Sequence, residues 1–526
     1  MPRLISRRVL SADDAHGVLH GPDGLLSPRS DMVLEQPDDD EPTPSPPDAA
    51  PAWGPPKSST AFVAVEGPVQ HYRRTVTVTP LGNRLVVVTE QFDYQLAIPV
   101  WRLLFAIPFR RALVRERTIP WWHPPDRLTA RQAQVVALLA TLSVVAGFLG
   151  TLLGQTITFA ADEFGVGESA QGLALGLARF SILLTLAMAV LGDRIGRRRT
   201  LFGAAIGAIL ASAATSLVVN LALLATVQAV SRGLSHALAL LVFVFAMEEA
   251  PAGARAYVMS MLGLAAGLGS GLAVACVPLA DLGLSAWRLV FVVALAFLPV
   301  VVTAARRLPE SERFEAARRR PPAQTPEQFR FRLCLLAVTS FAVLVFSAPA
   351  SQFQNEFLKE QRDFSATKIT VFTLLTVWTA GPGMLIAGRL ADVRGRRVIA
   401  SLGVSGGAVF ALWHFTVAGW PMWVLIAAGA LMTSSTVPSL GVYRAEMFGT
   451  GRRARSNGLL GVAGVSGSVV GLVVAGHMIE TYGYGTAFSV LLMGPILVAL
   501  LVLLFYPETT RRSLEELNPE DEEGLW

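Results

Sequence analysis

Charge is scarce in this chain. Of its 526 residues only 16% are Asp, Glu, Lys or Arg, whereas 52% are hydrophobic and the mean hydropathy is +0.49. A chain this apolar cannot cover its surface in water, which excludes a soluble enzyme and makes lipid the solvent for most of it. Cysteine is scarcer still: Cys276 and Cys334 both lie inside apolar runs and read as packing residues, not as a disulfide framework. No Walker loop occurs, so ATP does not drive the chain's work. No grouping of His, Cys, Asp and Glu has ligand spacing, so neither a metal nor a cofactor is expected. Met1–Leu10 lacks the apolar core of a cleavable signal peptide.

The net charge of +5 and isoelectric point near 9.5 would fit a nucleic-acid binder. The arginines instead crowd short loops between apolar runs, so no nucleic-acid partner is expected. Apolar runs of about twenty residues, enough to cross ~30 Å of hydrocarbon, lie near 135–160, 170–191, 200–219, 221–247, 256–279 and 287–304. A second set lies near 331–352, 367–388, 398–417, 420–445, 456–479 and 486–506. The expectation is an all-α membrane protein of twelve transmembrane helices. Residues 131–304 form one six-helix half, 305–330 a connector, 331–506 the second half and 507–526 a tail. The clusters around Arg197, Arg255, Arg306, Arg318, Arg396, Arg453 and Arg511 fall on alternate loops. That pattern puts both termini in the cytoplasm of a multi-pass cell-membrane protein.

The N-terminal extension has three characters. Residues 1–56, rich in Pro, Asp and Ser, read as a disordered tail. Within 57–130, Thr75–Thr79 alternates and Leu85–Val88 follows a Pro80-Leu81-Gly82-Asn83 turn, the pattern of a β-hairpin. Residues 96–123 mix Trp101, Phe105 and Phe109 with Arg102, Arg110 and Arg111. Two readings stand for them: an amphipathic segment lying in the lipid interface, or a short soluble helix packed on the hairpin.

Two stretches echo one another. Gly192–Arg199 reads Gly-Asp-Arg-Ile-Gly-Arg-Arg-Arg, and Gly388–Arg397 repeats its Asp, Gly and Arg cluster. Glu248, Pro251 and Arg255 are matched by Glu446, Gly449 and Arg453. The offset of about 198 residues implies two parallel halves of like design. These motifs resemble the major facilitator superfamily over roughly residues 130–517. Pro309–Phe314 and Pro507–Leu517 are similar to the mid-chain and C-terminal signatures of its sugar-porter and organic-ion branch.

The resemblance implies a latch that closes the cytoplasmic mouth. Its members would be Asp193, Arg194, Gly196, Arg197 and Arg198, with Gly388, Asp392, Gly395, Arg396 and Arg397. Ala189 replaces the family's first Gly in copy one, and Val393 a basic residue in copy two, which points to a weaker second latch. Glu248 with Arg255 and Glu446 with Arg453 would form a second charged layer, either gating or structural.

Polar groups within the spans mark function because hydrocarbon penalises them. Gln228, Arg232 and His236 share one helical face. Arg179 lies mid-span, no acid lies at comparable depth, and guanidinium recognises carboxylate and phosphate well. Gln155, Gln352, Asn355, Trp378 and Tyr443 complete the candidate substrate or coupling-ion residues. His236 is the first titrating candidate for proton coupling and Glu248/Glu249 the second.

The expected function is therefore secondary active transport of a small organic solute, anionic or polyhydroxy, by alternating access, with membrane lipid as the other partner. An efflux exchanger of hydrophobic compounds is one alternative. A transporter-like receptor signalling through the N-terminal extension is another.

Overall fold

The computed structural model describes residues 3–11, 14, 17–19, 24–38, 58–82, 85–114, 120, 122–166, 181–318, 326–364, 366–449 and 452–518. The chain divides into two compact units, Met1–Leu138 and Leu139–Trp526.

The first unit is built on one antiparallel sheet. Its strands are β1 (Arg3–Ser11), β2 (Leu34–Pro37), β3 (Ser58–Glu66), β4 (Val69–Gly82) and β5 (Leu85–Leu96), in the order β1-β5-β4-β3-β2. Alternation decides which face is buried: Val86, Val88, Glu90, Phe92, Tyr94 and Leu96 of β5 all turn inward. Helix α1 (Arg102–Val114) lays Phe109 and Leu113 into the cluster of Val69, Tyr72, Phe92 and Tyr94. The reading of a helix packed on strands thus describes these two residues. Val100, Leu103, Leu104 and Ile107 stand exposed beside Arg102, Arg110 and Arg111.

Two expectations need correction. Strands β4 and β5 belong to a five-stranded sheet, not to a lone hairpin, which would be marginal in water. Strands β1 and β2 fall within 1–56, read from the sequence as a disordered tail; 39–56 lie outside the described residues. That reading rested on the Pro, Asp and Ser content and did not single out Arg29, Asp31 and Glu35. All three are buried. Arg29 pairs with Asp31 at 2.6 Å, and the fully buried Arg74 holds Glu35 at 2.8 Å and Glu90 at 3.2 Å. Burial pushes the Asp31 carboxyl up, but the hydrogen bond and charge of Arg29 outweigh it and hold Asp31 below the usual aspartate range.

The second unit is helical. Ten runs among the described residues are long and apolar enough to cross a membrane. Large apolar side chains such as Leu268, Leu272, Val473, Met493 and Leu504 stand half-exposed or more along them, as surfaces solvated by lipid do. Two reasons separate ten from the expected twelve. Only the second half of the 170–191 run is described. The last two expected spans merge into one run, Arg453–Phe505, which Gly483 breaks with φ 77° and ψ 168°.

Eleven helices position the site. Those of the first group are α2 (Ala130–Phe164), α3 (Ser181–Ile195), α4 (Arg197–Ala214), α5 (Leu221–Glu249) and α6 (Arg255–Cys276). Those of the second group are α7 (Pro326–Gln352), α8 (Ala380–Arg394), α9 (Arg396–Thr416), α10 (Thr436–Glu446) and α11 (Arg453–Leu491), followed by α12 (Met493–Phe505). Proline sets two of the starts. Pro382 and Pro438 each occupy the first turn of a helix, α8 and α10, where a missing N–H forfeits no intrahelical bond.

Candidate gate and cavity

Helix ends and carboxylates lock the two groups of helices together at their Arg-rich end. Asp193, at the end of α3, accepts the backbone N–H of Ala454 at 3.2 Å and of Arg455 at 2.6 Å. Those donors open α11 of the other group. Asp392, at the end of α8, accepts the N–H of Ala256 at 3.2 Å and of Tyr257 at 2.9 Å, which open α6 of the first group. Each carboxylate thus caps a helix across the interface, where unpaired N–H groups and the helix dipole favour negative charge. Each also pairs with an Arg one turn on: Asp193 with Arg197, and Asp392 with Arg396 at 3.1 Å.

A second layer crosses the same interface. Glu248 accepts Arg197 of its own group at 3.2 Å and Arg453 of the other at 3.0 Å. Glu446 accepts Arg396 of its own group and Arg255 of the other at 2.8 Å. All of these side chains are nearly solvent-free. Charge-assisted bonds in such a setting are strong when satisfied and costly when broken.

Gly196 and Gly395 take φ of 119° and 112°, which L side chains rarely adopt. A Cβ on Gly196 would stand 2.6 Å from Glu310 Oε2, and one on Gly395 2.9 Å from Glu508 Oε2. The two glutamates explain the crowding. Glu310 accepts the N–H of Arg198 at 3.0 Å, capping α4, and Glu508 that of Arg396 at 3.0 Å, capping α9. Ser311 donates to Glu248 at 2.6 Å, and Arg396 donates to the Thr509 hydroxyl at 2.9 Å. Glu310, Ser311, Glu508 and Thr509 sit in the Pro-Glu-Ser and Pro-Glu-Thr signatures, which the sequence reading used for the resemblance alone.

Beyond the gate lies a cavity of about 460 Å³. Both groups line it: Thr185, His236, Phe243, Met247 and Met259 from the first, and Thr339, Leu344, Thr436, Arg444 and Asn457 from the second.

The sequence profile of the Major Facilitator Superfamily matches residues 139–357 and 333–523, most of the chain. The chain belongs to the Major Facilitator Superfamily. Solved facilitators share the fold. The proton:xylose symporter XylE, bound to 6-bromo-6-deoxy-D-glucose, superposes with TM-score 0.62 at 16% identity, covering 73% of this chain and 98% of that one. The human organic anion transporter MFSD10 gives 0.59 at 16% identity, covering 70% and 99%. A Haemophilus influenzae relative named for metabolite transport is 30% identical over 162 residues, 30% of this chain and 39% of its own length. As a facilitator the chain is a multi-pass membrane transporter of small solutes.

The facilitator's candidates divide sharply. Asp193, Arg197, Glu248, Arg255, Asp392, Arg396, Glu446 and Arg453 come together as described. Arg198 and Arg397 turn to the carbonyls of Ala305 and Leu503 in their own groups. Arg194 is exposed. Asp392 makes the same set of bonds as Asp193, and Val393 is exposed. At Gly388 a Cβ would stand 2.0 Å from Ser260 Oγ across the interface. At Ala189 the space comes from Gly458 opposite, whose own added Cβ would stand 3.3 Å from the Ala189 Cβ.

Of the described substrate candidates only His236 lines the cavity. Gln228 donates to Thr215 at 2.7 Å within its own group. Arg232, one turn before His236, is not among the lining residues. Gln155, Gln352 and Trp378 are exposed away from it. Tyr443 is buried edge-on against Tyr506, ring centroids 4.9 Å apart. Arg179 and the side chain of Asn355 lie outside the described residues. Arg444, next to Tyr443, was passed over. An Arg inside a span with no acid a turn above it was the available signal.

Proposed function

We propose that this facilitator is a secondary active transporter that moves a small organic solute, anionic or polyhydroxy, across the cell membrane by alternating access. Twelve spans form two six-helix halves, and both termini face the cytoplasm. The observation that carries the reading is the reciprocal cap: Asp193 and Asp392 each close the first turn of a helix belonging to the other half. Such bonds hold one end state and must break for the other, which is what a rocking carrier needs. His236 in the cavity is the group for proton coupling. The exposed face of Val100, Leu103, Leu104 and Ile107, with three arginines beside it, suits an anionic lipid surface.

The test is counterflow in proteoliposomes. Labelled solute from pools of organic anions and sugars should accumulate against unlabelled solute trapped inside. Two other readings have an observation each. The Phe243, Met247 and Met259 lining favours an efflux exchanger, which would move hydrophobic cations in the same assay. The folded first unit, with its buried ion pairs, favours a receptor, which would bind solute without any counterflow.

A further inference from the structure

Arg444 is the one guanidinium among the residues lining the cavity, and those residues include neither Asp nor Glu. It projects from α10, one turn after Leu440 and Gly441. Its Nε is shut off from solvent without a hydrogen-bond partner, and no ion pair reaches it among the described residues. The gate acids are committed elsewhere: Glu446 serves Arg255 and Arg396, and Glu248 serves Arg197 and Arg453. Tyr506, also on the wall, spends its hydroxyl proton on Thr339 at 2.9 Å.

The remaining wall offers little to a polyol. Thr185, Thr339 and Thr436 donate their hydroxyl protons to the carbonyls of Gly233, Leu335 and Thr433. Asn457 gives its amide to the carbonyls of Arg444 and Arg453, each at 2.9 Å. Ser340 adds one further hydroxyl, and apart from His236 the rest is apolar or glycine, with Leu240, Phe243, Met247, Met259, Leu336 and Leu344 its large side chains. A sugar here would leave many hydroxyls without partners, each a penalty in an apolar site. The Arg444 guanidinium, half-buried with its Nε shut off and no ion pair among the described residues, carries the opposite need, which an anionic ligand meets.

We infer that Arg444 is the anion anchor of the substrate site and that the substrate is an organic monocarboxylate with an apolar body. Its carboxylate pairs with the planar fork of Arg444, and its body fills the Leu, Met and Phe lining toward His236 of the other half. The inference rests on the transport reading above and narrows it, setting the polyhydroxy class aside.

The experiment is ligand-induced thermal stabilisation of the purified full chain. The probes are benzoate, phenylacetate and octanoate, each against its neutral amide, with glucose as a further arm. Binding to the native state raises Tm by mass action. At least one carboxylate should raise Tm while its amide does not. Arg444→Met should weaken that ligand by at least about tenfold, the loss expected for a hydrogen bond to a charged group. Arg444→Lys, which keeps the charge without the fork, should fall between. Equal stabilisation by acid and amide, undiminished binding in Arg444→Met, or a response to glucose alone would overturn the inference. So would the absence of any response to the carboxylates. If Arg444→Met fails to fold, the acid–amide contrast in the wild type and the Arg444→Lys variant still decide. Counterflow of a neutral solute would sink the anion anchor and leave transport standing. Carboxylate binding without counterflow would sink transport and leave the anchor standing.

Discussion

Asp392→Asn separates a latch from a decorative salt bridge. In the closed state Asp392 accepts two N–H groups at the start of α6 and the Arg396 guanidinium at 3.1 Å. The amide keeps one acceptor oxygen and turns an NH₂ toward the other donor. The closed state then loses one charge-assisted bond and the carboxylate's interaction with a helix N-terminus, about 3 kcal/mol together. Once the mouth opens, water hydrates either side chain, so the loss falls on the closed state alone. The ratio of closed to open molecules should fall by about two powers of ten. A single cysteine at Ser260, with Cys276 and Cys334 changed to Ala, reads that ratio. Ser260 is fully buried and donates across the interface to the Met384 carbonyl at 2.9 Å. Alkylation by a membrane-impermeant maleimide should accelerate about a hundredfold in Asp392→Asn, and further in the double variant with Asp193→Asn, up to saturation. Ligand affinity should persist, because Asp392 does not line the cavity. Exchange should slow, because one end state is depopulated. An alkylation rate within about threefold of the parent would refute the latch.

Two further outcomes follow from the same end of the molecule. Gly395→Ala would force φ 112° on a side chain and set its Cβ 2.9 Å from Glu508; the expected cost is about 1–3 kcal/mol, read as a lower Tm. Burial pushes the Glu508 carboxyl up, but the Thr510 hydroxyl and the N–H groups of Arg396 and Arg397 outweigh it, so it titrates below the usual glutamate range. Its contribution to stability is therefore complete at neutral pH and lost as the pH falls through and below that range. Glu508→Gln should lower Tm at pH 7 and flatten its fall on acidification, and parallel wild-type and variant curves would contradict this.

The charged interface was legible because its residues come in copies. Asp193 and Asp392, or Glu248 and Glu446, are recognisable as pairs before any contact is known, since a spacing repeated at one offset is unlike chance. The cavity was not legible in that way. Gln228, Arg232 and His236 share a face by spacing, yet only His236 lines the cavity; helix period gives the face but not the depth or the neighbour. Arg444 escaped because a chain rich in loop arginines makes one more near a span end look topogenic. The first unit misled for a different reason. Composition treats Arg29, Asp31 and Glu35 as water-seeking, whereas their pairing with one another and with Arg74 lets a sheet form around them.

The crosswise gate has an electrical consequence. The first half brings Asp193 and Glu248 with Arg197 and Arg255; the second brings Asp392 and Glu446 with Arg396 and Arg453. Each quartet sums to zero. Parting the halves therefore separates dipoles, whose attraction fades quickly with distance, and carries no net charge through the field. A membrane voltage does work of about 2.3 kcal/mol per elementary charge per 100 mV, but it finds no net gate charge to move. On the transport reading, voltage dependence belongs to charges outside these quartets: Arg444 in the cavity, the cargo and any coupled ion.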